Sequence, residues 1–173
     1  MKKILYLILC NLFVFTSFGQ AKQDGEYKEY HENSQLRRVC YYKDGKLNGE
    51  NKWYYNNGKL QEIGFYENGK PQGEFIFFYS NGQIEGISHY NIDGNRDGEY
   101  KRYYENGQVW EIGYYKNDKQ EGECKQYYEN GQLKKVFNFK DDKMDGEYKE
   151  YNIDGKLKKI SKYKNGRKIL IRL

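Results

Sequence analysis

One proline, one alanine and two methionines stand among 173 residues. So little alanine removes the strongest helix former, and a single proline leaves the turns to other residues. Three cysteines and two histidines are scattered, with His31 and His89 separated by 58 residues. That spacing argues against a metal pair and against a Cys-His or Ser-His-Asp nucleophile, and no glycine-rich phosphate loop occurs. Acid is missing from Lys156 onward, where eight Lys or Arg follow, although residues 20–155 carry 20 basic against 25 acidic side chains. What fills the chain instead is 20 Tyr, 9 Phe, 2 Trp and 19 Gly, the composition of strands and turns.

The first residues, "MKKILYLILCNLFVFTSFGQ", set Lys2 and Lys3 before an apolar run from Ile4 to Phe18. Ser17 and Gly19 form the small-x-small pattern of a signal-peptidase site. Residues 1–19 therefore read as a signal peptide cleaved before Gln20, which exports the rest to the periplasm, cell surface or medium. A retained anchor is the lesser reading, because a span needs roughly twenty apolar residues. Lipidation at Cys10 is a third, with Leu9 standing where a small residue belongs.

Beyond a short lead at 20–24, "GE" recurs at Gly25, Gly49, Gly73, Gly98, Gly122 and Gly146. The rows so defined are 25–48, 49–72, 73–97, 98–121, 122–145 and 146–169, one of 25 residues and five of 24. Numbering places from each glycine, Asn-Gly or Asp-Gly falls at places nine and ten in rows two to six, as at Asn57-Gly58 and Asp154-Gly155. A second turn signal follows at Asp44-Gly45, Asn68-Gly69, Asp93-Gly94 and Asn165-Gly166, with Asn117-Asp118 and Asp141-Asp142 in rows four and five. These pairs predict type I′ turns between strands, so each row is one β-hairpin. Place six is always Tyr or Phe, place twelve Leu, Ile or Val, place fifteen Val or Ile, and place eighteen Tyr or Phe. A lone hairpin cannot bury such residues, whereas stacked rows share ladders and need caps at their ends. Residues 168–173 alternate polar and apolar and read as the closing strand, of which 170–173 lie past the last row.

Chemistry is sparse along this array. His31 and His89 occupy slots that tyrosine fills elsewhere. Cys40 and Cys124 fall seven strands apart, roughly 33 Å at the usual strand spacing, beyond disulfide reach. Glu at place two, with Lys at place four in five rows, reads as surface charge pairing. "DGNRDGE" at 93–99 imitates the start of a calcium loop, but Tyr104 stands where that loop needs glutamate. No cofactor and no metal is expected, and the chain reads as a non-enzyme.

Recognition is left to surfaces. A two-residue turn would pair place six with thirteen and place seven with twelve, which turns neighbouring aromatics to opposite faces. Tyr55, Tyr79, Tyr104 and Tyr128 hold place seven, with Trp53, Phe77 and Trp110 nearby. These seven are the candidate partner-binding residues. In the basic end, alternation sets Lys156, Lys158, Lys162 and Lys164 on one face as a candidate patch for an anionic surface or lipid. Export disfavours nucleic acid.

The Gly-Glu-aromatic opening, the aromatic sixth place and the Asn-Gly turns, as in "GEYKRYYENGQVWEIGYYKN", resemble the MORN repeat, and more closely its bacterial variant found in YwqK-like antitoxin components. The resemblance implies an all-β, elongated, single-layer antiparallel meander of tandem hairpins used for protein or membrane contact, with an antitoxin or immunity role in some members. The function expected is an exported scaffold that binds a protein or cell-envelope partner, with toxin masking or carbohydrate binding as alternatives.

Overall fold

The computed structural model describes residues 22–170. The predicted signal peptide, Cys10 and the last three residues of the closing strand lie outside the described residues. Fourteen strands follow in order: β1 (Gly25–Tyr30), β2 (Leu36–Lys43), β3 (Lys46–Tyr54), β4 (Leu60–Glu67), β5 (Lys70–Phe78), β6 (Ile84–Tyr90), β7 (Gly98–Tyr103), β8 (Val109–Lys116), β9 (Lys119–Gln120), β10 (Gly122–Tyr127), β11 (Leu133–Lys140), β12 (Lys143–Tyr151), β13 (Leu157–Lys164) and β14 (Arg167–Ile169). They form one open antiparallel sheet in which sequence neighbours pair, except that β9 pairs only with β8 and β10 takes its place on the path. Six hairpins account for twelve strands. The other two are the closing strand β14 and the short β9, split from β10 at Glu121. No helix occurs among the described residues.

The two turns of a row differ. At the second, both central residues have positive φ, for example 51° and 71° at Asp44-Gly45 and 47° and 63° at Asp141-Asp142, the type I′ geometry expected. At the first, only the last turn residue does, with φ of 79° at Gly58 and of 64° at Ser34, which stands in for the glycine in row one. There the Gly58 amide donates to the Tyr55 carbonyl at 2.9 Å and the Tyr55 amide to the Lys59 carbonyl at 2.8 Å. This is a type I turn closed by a glycine bulge, not the two-residue type I′ turn that Asn-Gly suggested. Asn57 supplies the reason: its Oδ1 accepts the Lys59 amide at 3.0 Å, bracing the chain across the glycine. Row three uses its extra residue to build the same bulged turn at its second bend, where Gly94 alone turns positive, at 84°.

The bulged turn resets the register. Place six pairs with place twelve, as Tyr54 with Leu60, rather than with thirteen. Place seven therefore leaves the strand and becomes the first residue of the turn.

One face of the sheet carries the core. Place three stands opposite sixteen, as Phe75 with Ser88 and Cys124 with Phe137. With place eighteen these residues make an aromatic spine, including Phe75–Tyr90 and Tyr100–Tyr115 at 4.8 Å between centroids. Phe75, Tyr100, Cys40, Cys124 and Phe137 are buried in it. Rings lie over two of its glycines: a Cβ on Gly64 would collide with Phe75, and one on Gly113 would come within 2.7 Å of Tyr100. On the other face Lys at place four meets Glu at place two along the same strand, at 2.6 Å in Lys52–Glu50 and 2.8 Å in Lys28–Glu26. These exposed pairs each add little stability.

Candidate functional site

Four of the seven candidate aromatics have a structural partner. The hydroxyls of Tyr55, Tyr79, Tyr104 and Tyr128 donate to the place-six carbonyls of the next row, Phe78, Tyr103, Tyr127 and Tyr151, at 2.6, 2.6, 2.8 and 2.9 Å. Burial pushes the phenols of Tyr55, Tyr79 and Tyr104 above the ordinary tyrosine value. In row one His31 takes the tyrosine slot, its Nε2–H donating to the Tyr54 carbonyl at 2.8 Å. Place seven is thus a ladder that ties row to row. His89 also sits in an aromatic slot, its Nδ1–H donating to the Glu99 carbonyl at 2.7 Å.

The remaining candidates are set by register. Along the core face, places five and fourteen oppose one another in a line that runs through Arg38, Trp53, Glu62, Phe77, Gly86, Arg102 and Glu111. Trp53 is half-buried under the Arg38 guanidinium, 4.5 Å from its ring. At Gly86 the line has no side chain. A Cβ there would meet the Lys101 carbonyl oxygen at 3.2 Å and the Arg102 Cγ at 3.9 Å, and within 4 Å it would meet no ring. Gly86 is consequently the floor of a groove of about 480 Å³, between Phe77 and Tyr79 on one side and Arg102 and Trp110 on the other, with Ser88 and Tyr90 along its base. Three candidates, Phe77, Tyr79 and Trp110, come together here; Trp53, Tyr55, Tyr104 and Tyr128 do not line it.

Charge in the groove is uneven. Arg96 is held by Asp118 at 3.1 Å and lies 4.1 Å over the Tyr115 ring, whereas Lys101 offers the groove only its main-chain carbonyl, its ammonium being held by Glu99 at 2.6 Å on the other face. Arg102 is exposed, stacks 5.4 Å from the Trp110 ring, and has no acid within ion-pair distance among the described residues. Glu111, opposite it, is instead bonded by the Tyr100 hydroxyl at 3.0 Å and the Gln126 amide at 2.7 Å. Glu85 stands at the opposite lip, and its charge adds to the rise in the Tyr79 pKa.

Two features beside the groove bear on chemistry. Tyr100, Glu111 and Cys124 form a buried knot, with the Tyr100 hydroxyl 3.7 Å from the Cys124 sulfur. Burial and the Glu111 charge push the Cys124 thiol up to about 11, so it stays protonated at neutral pH. Among the described residues, no group of three His, Cys, Asp or Glu side chains comes together around a metal-sized space.

The basic end is not the bare patch that strand alternation suggested. Lys156 meets Asp154 at 3.2 Å, Lys158 meets Glu150 at 2.7 Å, and Lys164 meets Asp145 at 3.1 Å. The register shift before Tyr151 carries Lys158 to Glu150 on the core face, while Lys162 stands opposite Glu147 on the other. Alternation counted along β13 alone did not see acids arriving from β12.

A family model described as MORN repeat variant matches residues 23–46, 47–68, 71–91, 96–117, 120–141 and 144–165. No curated protein matches the chain. Among solved structures, a mutant of TarM from S. aureus in complex with fondaparinux, alpha-GlcNAc-glycerol and UDP is similar, at a TM-score of 0.33 and 14% identity. That likeness covers 69% of this chain and 21% of the other, so the chain spans about a fifth of that protein's length.

Proposed function

The chain belongs to the family of MORN repeat variants, and on that premise we propose that it is an exported, non-catalytic scaffold that binds a protein partner of the cell envelope. The carrying observation is the groove over Gly86, the one place where the line of place-five and place-fourteen side chains is interrupted and aromatic walls stand open. Aromatic side chains beside an unpaired arginine are the residue types that carry most binding energy at interfaces. Support for a non-catalytic role comes from Cys124, whose thiol is buried and protonated, and from tyrosines committed to the ladder. Export rests on the Lys-Lys and apolar run at the amino terminus.

The test is site-specific photocrosslinking in the native cells, with a benzoylphenylalanine at Trp110 in the groove or at Tyr30 on the first strand. The reading expects a single protein adduct from the groove position only, recovered from the envelope fraction. Adducts equally from both positions, or none from the groove, would overturn it. A toxin in the adduct would identify an antitoxin, and a glycan would identify a carbohydrate binder.

A further inference from the structure

The groove also says what chemistry its occupant carries. We propose that it takes a peptide segment in which an aromatic or large aliphatic side chain stands next to a carboxylate, the apolar group filling the place over Gly86 and the carboxylate meeting Arg102. This deepens the partner-binding reading and rests on it.

Neighbouring strands lie about 4.8 Å apart, and side chains along such a line stack at that spacing. Leaving out the one at Gly86 separates the Phe77 and Arg102 side chains by about twice that distance. The opening is one side chain wide, the width of a flat or slender group in contact with both walls. Elsewhere on this face the missing side chain is made good from within: Phe75 covers Gly64, and Tyr100 covers Gly113. Gly86 has no such ring of its own, so an apolar side chain from a partner supplies the contact that those rings provide.

The charges fix the orientation. Arg102 is the cation without an acid; its guanidinium lies beside the Trp110 and Tyr100 rings, and its N–H groups have no carboxylate to donate to, which makes it the carboxylate site. Arg96 is already neutralised by Asp118, and the Lys101 ammonium pairs with Glu99 on the opposite face. Glu85, at the Tyr79 side, repels a carboxylate there and directs it toward Arg102.

The test uses the ¹⁵N-labelled chain and four probes: acetyl-Gly-Phe-Asp-Gly-amide, the same peptide with Asn for Asp, the same with Ala for Phe, and a diuronic acid. Saturable shifts are expected from the first peptide at the Gly86 amide, the Arg102 Nε–H and the Trp110 indole N–H, with the Trp53 indole unmoved. Arg102→Gln should weaken the Asp peptide about tenfold, as loss of a charge-assisted contact does. The same change should leave the weaker Asn peptide unaltered. Glu85→Gln should leave the Asp peptide bound as well or better. Equal binding of the Asp and Asn peptides, shifts away from the groove, a response to the diuronic acid alone, or no shift at all would each overturn the assignment. If a photocrosslinked partner is nonetheless recovered through Trp110, docking at the groove stands and only this chemistry falls.

Discussion

Replacing the four ladder tyrosines together, Tyr55→Phe, Tyr79→Phe, Tyr104→Phe and Tyr128→Phe, removes four hydroxyls and almost no apolar surface. Each hydroxyl donates at 2.6–2.9 Å to a carbonyl of the next row from a half-buried ring. A hydrogen bond of this kind contributes about 1 kcal/mol net. Successive rungs are two strand spacings apart, about 10 Å, so their losses add, to about 4 kcal/mol. With a urea dependence of about 2 kcal/mol per molar for a domain of this size, the unfolding midpoint should fall by about 2 M. Because every bond crosses a row boundary, the loss falls on the coupling between rows, and the transition should broaden as well as shift. Urea titration followed by far-ultraviolet circular dichroism reads both effects. A midpoint within about 0.3 M of the parent with an unchanged slope would show that these hydroxyls do not join the rows, and would return the tyrosines to the list of free recognition groups.

Three further outcomes follow from particular contacts. Gly113→Ala drives a Cβ into the Tyr100 ring and should cost about 2 kcal/mol, while Gly86→Ala, whose Cβ meets no ring and only the Lys101 carbonyl oxygen at 3.2 Å, should cost less; equal losses in thermal melts would mean that this main-chain contact is as costly as the overlap with Tyr100. Burial holds the Glu62 carboxyl above its ordinary value, with the Arg38 charge opposing, so the folded form keeps its proton longer than the unfolded chain and loses stability as pH rises through that window. Glu62→Gln should accordingly gain on the parent as pH rises through and above the ordinary carboxylate range and match it at more acid pH, and an advantage that grows toward acid would refute the sign. Cys40 and Cys124, 0% and 2% exposed with raised thiol pKa values, should resist iodoacetamide in the native chain and react readily in urea.

The rows, their hairpins and the type I′ turn at the second bend of every row but the third were legible because Asn, Asp and Gly recur at fixed places that tolerate positive φ; the extra residue of row three made Asp93-Gly94 a bulged turn instead. The first bend was misread, since Asn-Gly suits both a two-residue turn and a bulged one. What decides between them is the Asn57 side chain reaching the Lys59 amide, a contact that no local rule in the chain displays. That choice of turn moved place seven out of the strand and converted four candidate aromatics into a ladder. Gly86 escaped notice because the apolar places drew attention. Read down the rows, place fourteen is Arg38, Glu62, Gly86, Glu111, Lys135 and Lys159, and one glycine among five long polar chains was the available signal. The acids beside Lys158 and Lys164 were not legible along β13, because both come from the neighbouring strand β12.

The central claim separates two jobs, rows joined by the tyrosine ladder and recognition at the gap over Gly86. It is tested most directly by measuring two quantities, urea midpoint and affinity for the partner crosslinked through Trp110, on two variants. Tyr55→Phe with Tyr128→Phe should lower the midpoint by about 1 M and leave affinity unchanged. Phe77→Ser with Arg102→Gln should cost at least 100-fold in affinity, about 2.7 kcal/mol, in a chain that is still folded. If the ladder pair weakens binding as much as the groove pair does, the two jobs are not separate and the groove is not the site.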